Sequence, residues 1–439
     1  MLYHDFLTND KRMIHKWVHY FPVYERYFSR FVNHSLVFLE IGVSKGGSLQ
    51  MWKRYFGPFA TIVGIDIDPA CQSLEEKQVH VRIGDQSDPA FLQGVVDEFG
   101  PFDVILDDGS HIMRHVCASF HYLYDFVKEG GIYVIEDLHT AYMPDYEGGL
   151  KKEDTFIEKS KKFWEELNGN SDEVGKTTYS IDYYDSMIVL QKMNNAMRVM
   201  LELSKDNPKQ KTHFLSLALN KYLNKFARSP ATIWLRDSHE SGLAENIKGI
   251  IGPLAFTVSV SLEAGNFFQG QPDADAFEEG RLFNRTFMEK LIDAYGCPNI
   301  VVNWLDPDDW DDNAGFHALY EAIEDNGVCV MLFPNGILPE KQQAFVNMCQ
   351  DYIDLLNARH SSLDRSFANV TFSISFCGCA IILEKIKWEK DASRAVQIPF
   401  PQKTRRERMV LMLKRILPQW AIMLLKNIRK TFTTSSHVV

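Results

Sequence analysis

The chain is poor in cysteine and shows no pattern among those it has, seven in 439 residues. An odd count without framework spacing excludes a disulfide-stapled fold. The one close pair, Cys377-Gly378-Cys379, lies in an apolar run and is too tight for a CxxC motif. The thiols therefore read as reduced, which suits the cytoplasm. No apolar run approaches the roughly 18 residues of a membrane-spanning helix. The start, MLYHDFLTND, has neither the basic nor the apolar stretch of a secretory signal. Positive charge is short as well: the net charge is −11, which argues against nucleic acid as a partner of the body. A complete GxGxxG fingerprint is also missing, and with it the usual cradle for a dinucleotide pyrophosphate.

What the chain does have is strand–helix alternation. Buried parallel strands read as continuous Val/Ile/Leu runs. Such runs occur at Leu36–Glu40, 61–67, 79–83, 102–106 and 131–135, with helices expected from about Leu49, over 90–99 and over 112–128. This order predicts an α/β fold with a mostly parallel, doubly wound sheet. Ligands of such sheets bind at the strand carboxyl ends, and there the polar residues collect. The first run ends in Ile41-Gly42-Val43-Ser44-Lys45-Gly46-Gly47-Ser48, a turn that lets a ligand approach the backbone. Asp66 ends the second run, where a carboxylate suits the two hydroxyls of a ribose. Gly84-Asp85-Gln86-Ser87-Asp88 follows the third and suits the edge of a purine. Adenosine without a pyrophosphate points to S-adenosylmethionine rather than NAD. The fourth and fifth runs end in Asp107-Asp108-Gly109-Ser110-His111 and Glu136-Asp137. Carboxylates and a histidine gathered at one sheet edge suit a hard divalent cation beside a general base. Capping of the following helix by Asp107 and Asp108 is the plainer reading, but it leaves Glu136-Asp137 unexplained.

Together Glu40-Ile41-Gly42, Gly84 to Asp88, Asp107 to His111 and Tyr133-Val134-Ile135-Glu136-Asp137-Leu138-His139-Thr140-Ala141-Tyr142 resemble class I S-adenosylmethionine-dependent methyltransferases. The likeness is to the metal-dependent macrolide-sugar O-methyltransferases of the mycinamicin type, over roughly 36–192. It implies Asp108, Glu136 and Asp137 as ligands of Mg²⁺ or Mn²⁺ and His111 as the base. It implies a cofactor site lined by Glu40, Gly42, Gly46, Asp66, Asp85, Gln86 and Asp107. His139 and Tyr142 are candidates for touching the substrate or for anchoring their loop, as is Tyr146. His115 and His121 read as packing or surface residues. The implied reaction is methylation of a sugar hydroxyl in polysaccharide or glycoside biosynthesis, with a glycan or glycoside acceptor and self-association into a homo-oligomer. The rivals are a non-catalytic glycan-binding or scaffolding protein and a cephalosporin-hydroxylase-like enzyme of the same fold. A 2-His-1-carboxylate triad, which iron oxygenation would need, is missing at the strand ends.

The chain also repeats itself. Gly84–Ile135 aligns with Gly280–Met331 without gaps, 11 identities in 52 positions. Gly57-Pro58 matches Gly252-Pro253, and Ser180 to Lys192 matches Ser373 to Lys385. A degenerate second methyltransferase domain is expected, giving a helical segment 1–35, a catalytic domain 36–192, a helical linker 193–228, the degenerate copy 229–390 and a tail 395–439. In the copy, Asp108 becomes Trp304, His111 Pro307, Glu136 Leu332, Asp137 Phe333, Glu40 Arg236, Gly42 Ser238 and Asp66 Ser261. The acidic run from Asp306 to Asp312 reads as a solvated loop. The tail sets nine Lys and Arg against one Glu between Lys403 and Lys430. It reads either as a surface for an anionic membrane at its cytoplasmic face or as a helix packed on the second half.

Overall fold

Continuous apolar runs become strands buried on both faces, and the segments between them become helices with one apolar side. The computed structural model describes residues 2–168, 174, 177–194, 219–236, 243–261, 274–305, 313–333, 340–359, 366–377, 380–387 and 395–398. The basic tail 403–430, the acidic run 306–312, Pro307, Ser238 and most of the 193–228 linker lie outside the described residues. The helices are α1 (Leu2–Leu7), α2 (Tyr20–Phe28), α3 (Gly47–Phe56), α4 (Pro89–Phe99), α5 (Met113–Leu123), α6 (Phe156–Asn168), α7 (Leu243–Ile251), α8 (Arg285–Tyr295), α9 (Asn313–Ala322) and α10 (Glu340–Asn357). The strands are β1 (Ile14–Trp17), β2 (Leu36–Ile41), β3 (Ala60–Asp66), β4 (Val79–Ile83), β5 (Phe102–Asp107), β6 (Val127–Ile135), β7 (Thr178–Tyr184) and β8 (Met187–Lys192). They continue with β9 (Ala231–Arg236), β10 (Ala255–Ser261), β11 (Ala276–Glu279), β12 (Ile300–Trp304), β13 (Val328–Leu332), β14 (Thr371–Cys377), β15 (Ala380–Lys385) and β16 (Ala395–Ile398).

Fourteen strands make one sheet in the order β11-β10-β9-β12-β13-β15-β14-β7-β8-β6-β5-β2-β3-β4. Read outward from the middle, both sides have the same order. Each is a parallel set ended by an antiparallel pair, β8–β7 on one side and β15–β14 on the other. The two sides meet where β14 pairs antiparallel with β7, Ile374 opposite Tyr183 and Phe376 opposite Ile181. The pairing puts the outward edge of each half under the other, so neither edge is left open at the junction. The largest apolar core is continuous across it, from Phe120 and Tyr133 through Trp164 and Tyr183 to Phe376 and Phe333.

Local chemistry sets the element ends. Asp88 caps α4, its side chain accepting from Ala90 N at 2.9 Å with Pro89 in the first turn. In the other half Asn284 caps α8 by accepting from Phe287 N at 3.0 Å.

Three expectations need correction. Residues 1–35 are not helical throughout, because β1 lies between α1 and α2 and pairs antiparallel with β16. The strand alternates, but its second inward residue is Lys16, so no apolar periodicity announces it. The helix expected over 112–128 ends at Leu123, and β6 begins at Val127 rather than 131, because Lys128-Glu129-Gly130-Gly131 hides its first half. The partner of Glu40 in the second half is Leu235, not Arg236. Glu40 pairs with Leu106 and Gly64, and Leu235 pairs with Val302 and Ser259.

Candidate active site

The carboxyl ends of β2, β3, β5 and β6 line one edge, and three turns there leave the ordinary backbone regions. Ser44, His111 and Asp137 adopt left-handed φ values of 50°, 58° and 54°. Non-glycine residues hold such angles only where the surroundings over-determine them, and such strain collects at functional sites. Glycine is required at Gly42 (φ 96°), where an added Cβ would stand 2.1 Å from the carbonyl oxygen of Asp108. The glycine turn and the DDGSH loop therefore touch backbone to backbone.

Asp108, His111 and Asp137 converge. His111 Nε2 stands 3.8 Å from Asp108 Oδ1 and 3.8 Å from Asp137 Oδ2. All three are partly open to solvent. Each carboxylate keeps one oxygen toward His111 and commits the other. Asp108 Oδ2 accepts from Lys16 Nζ at 2.7 Å, and Asp137 Oδ1 accepts from Tyr20 Oη at 2.7 Å and Trp17 Nε1 at 3.0 Å. Burial acts against ionised Asp137, but His111 and the Tyr20 hydroxyl hold its carboxyl below the usual range.

Glu136, expected as a third ligand, lies outside this cluster. It is buried, with one oxygen accepting from Lys16 Nζ at 2.8 Å and the other from the Tyr24 hydroxyl. Burial pushes its carboxyl well up, against the opposing pull of Lys16. Lys16 is itself enclosed, its ammonium shared among Asp108, Glu136 and, at 3.8 Å, Glu40.

The expected cofactor residues divide into two groups. Asp66 lies at the edge and holds the glycine turn, its Oδ2 accepting from Val43 N at 2.8 Å and Ser44 N at 2.9 Å. Burial opposes its charge, yet backbone amides, Asp68 N among them, keep its carboxyl below the usual range. Asp85 is tied to Ser87 N at 2.8 Å, and Gly46 caps α3 at φ 71°. Glu40, Gln86 and Asp107 sit deeper and support the loops from below. Glu40 is fully buried, takes hydrogen bonds from Ser48 and Trp52, and is pushed up to about 7 by burial. Asp107 is 1% exposed, accepts from Ser119 Oγ at 2.6 Å, and is pushed up to about 6 by burial. Gln86 bridges Asp107 and the amide of Ser110.

Of the substrate candidates, His139 faces the site's rim. Its Nδ1 is 2.6 Å from Ser186 Oγ and its ring lies edge-on to Trp17. Tyr142 turns away, donating to Asp354 Oδ1 of α10 at 2.8 Å. Tyr146 stays near His111, ring centroids 6.5 Å apart. His115 is more than packing, since its Nδ1 is 3.0 Å from Ser110 Oγ in the DDGSH loop.

The residues that sequence reasoning missed are Lys16, Trp17, Tyr20 and Tyr24. Their only signal was an aromatic-rich segment containing one lysine that becomes buried.

Among the described residues, the matching strand ends of the second half carry no such group. Leu332 and Phe333 stand where Glu136 and Asp137 stand in the first half. Both are about 1% exposed, and Phe333 packs on Phe345 and on Trp164 of the first half.

No protein-family model matches the chain. Over 143 residues it is 44% identical to demethylmacrocin O-methyltransferase of Streptomyces fradiae, a stretch covering 30% of this chain and 36% of that protein. Over 140 residues it is 43% identical to mycinamicin VI 2''-O-methyltransferase of Micromonospora griseorubida, covering 30% and 35%. Both of these relatives are named as O-methyltransferases. A solved neighbour is MycE methyltransferase of the mycinamycin pathway, in complex with Mg, SAH and mycinamycin VI. It is 34% identical with a TM-score of 0.38, covering 40% of this chain and 50% of that one. The matched stretch spans about a third of the length of the curated relatives.

The donor set fits a hard divalent cation. Mg²⁺ is commonly held by one or two carboxylates, with the remaining positions left to water and substrate. Asp108 Oδ1 and Asp137 Oδ2 are placed for that, while both oxygens of Glu136 are already taken by hydrogen bonds from Lys16 and Tyr24.

Proposed function

We propose that the chain transfers a methyl group from S-adenosylmethionine to a sugar hydroxyl, in glycoside or polysaccharide biosynthesis, with Mg²⁺ or Mn²⁺ held by Asp108 and Asp137. The observation that carries this reading is the meeting of Asp108, His111 and Asp137 at the ends of adjacent strands β5 and β6. The two homologues above, named as O-methyltransferases of demethylmacrocin and of mycinamicin VI, support it. The ion would orient the acceptor hydroxyl and lower its pKa. The other steps fall to the chain's own side chains and to the methyl donor as substrate. His111 Nε2 takes the hydroxyl proton, worth ~10²–10⁴-fold. The freed oxygen attacks the methyl carbon in line, the C–S bond breaks, and the sulfonium leaves as a neutral thioether. Trp17 and Tyr20 fix Asp137 by hydrogen bonds, and Lys16 ties Asp108 to Glu136. Gly42 brings the turn after β2 against the DDGSH loop, and the nucleoside would lie at that turn beside Asp66 and Asp85.

In this reading the second half is a degenerate copy of the first, and the protein works in the cytoplasm. Its tail 403–430 would meet the anionic inner face of the membrane, where lipid-carried glycans are assembled. The test is transfer of labelled methyl from S-adenosylmethionine to a panel of glycosides. Transfer that disappears with EDTA and with Asp108→Ala supports the reading; transfer that persists in metal-free buffer sinks the metal's role.

A further inference from the structure

The second half has apolar residues where the first has its site, yet its longest helix runs straight to that site. The end of α10 delivers two side chains. Asn357, fully buried, accepts from the backbone N–H of Ser186 at 3.0 Å. Ser186 holds His139 through its hydroxyl, and its carbonyl accepts from Tyr20 Oη at 3.1 Å and Leu138 N at 3.0 Å. Two residues later Arg359 grips Asp185 with both arms, at 2.7 and 2.5 Å, and lies 3.1 Å from His19 Nε2. Its guanidinium stacks over the Trp17 ring, 4.4 Å from the centroid. Trp17 in turn donates to Asp137.

We propose that Arg359 is a positioning residue supplied by the second half to the first half's site. By stacking on Trp17 and pairing with Asp185, it fixes the indole that orients Asp137 toward His111 and Asp108. A planar guanidinium suits both tasks, and a lysine ammonium would do neither as well. The second half then serves the reaction through the site of the first. The inference rests on the proposed metal site, and partners that orient a ligand from outside typically change metal affinity by about 10–100-fold.

The test is calorimetric titration of Mn²⁺ into the full chain, wild type against Arg359→Ala, Arg359→Lys, Trp17→Phe and the Arg359→Ala/Trp17→Phe pair. Arg359→Ala is expected to weaken Mn²⁺ about tenfold and Arg359→Lys less. The double variant should be no weaker than the worse single one, because both act through one hydrogen bond. Lys151→Ala, which breaks the exposed pair with Asp351 on the same helix, is the docking control and should bind as wild type. Hydrogen exchange is the second readout. Arg359→Ala should open residues 14–20 and 137–142 while leaving β14 protected. Wild-type affinity in Arg359→Ala, or additive losses in the pair, would overturn the proposal. If the wild type binds no Mn²⁺, the proposed function falls and the exchange pattern alone decides: local opening supports the positioning role, and unchanged exchange overturns it.

Discussion

A buried lysine among three carboxylates organises the site. Lys16 Nζ lies 2.7, 2.8 and 3.8 Å from oxygens of Asp108, Glu136 and Glu40. Removing one member of a buried ion cluster leaves the others uncompensated and costs about 3–5 kcal/mol. Lys16→Met is therefore expected to lower the unfolding free energy by that order, read as a lower urea midpoint at unchanged slope; an unchanged midpoint would refute the cluster's role. His111 allows a sharper test, because its ring nitrogen stands where either a base or a ligand could stand. As the base, His111→Ala loses about 10²–10⁴-fold in transfer rate while Mn²⁺ affinity in a binding titration stays within a few fold. A parallel collapse of Mn²⁺ affinity would make it a ligand instead. The residues that announced the site in the sequence were those whose chemistry is visible in short motifs, DDGSH and Glu-Asp. Lys16 and Arg359 were invisible there, because nothing local marks a basic side chain that folding will enclose.

At the scale of elements, the turn after β2 decides whether the edge can form. Gly42→Ala would drive a methyl group into the Asp108 carbonyl at a left-handed φ. It should cost several kcal/mol, as an overpacked and strained position does, and should abolish S-adenosylmethionine binding. A variant with wild-type melting and binding would contradict the close approach. The five parallel strands of the first half were legible as Val/Ile/Leu runs, and their helices as the segments between those runs. What failed has a physical cause. β1 carries a lysine on its buried face, β6 begins in a polar glycine-rich stretch, and Tyr142, open between substrate contact and loop anchor, is tied to Asp354 on a helix some two hundred residues away. Long-range partners of this kind leave no periodic trace.

Across the whole molecule, the junction of the two halves is electrostatic as well as apolar. Glu384, fully buried on β15, is paired with Arg26 of α2, with Lys225 at 3.1 Å and with Ser373 at 2.7 Å. Burial alone would raise its carboxyl, but Arg26 and Lys225 hold it at about 2, well below the ordinary 4.5. A folded-state pKa below the unfolded one gives stability that is present above about pH 4.5 and is lost as pH falls toward 2. At about 1.4 kcal/mol per pKa unit this is worth about 3 kcal/mol. Glu384→Gln should lower stability at pH 7 by that order and flatten the pH dependence of the unfolding midpoint between pH 4.5 and 2. Parallel curves for the two proteins would contradict the pairing. The shared strand order on either side of β7–β14 was legible as an offset repeat. The joining of the halves into one sheet was not, since pairing between chain edges depends on which surfaces meet.

The central claim is one S-adenosylmethionine-dependent site, in the first half alone. Calorimetric titration of S-adenosylmethionine into the full chain with Mg²⁺ present tests it most directly. One binding site per chain, lost in Gly42→Ala, is the predicted result. Two sites per chain, or none in well-folded protein, would contradict it.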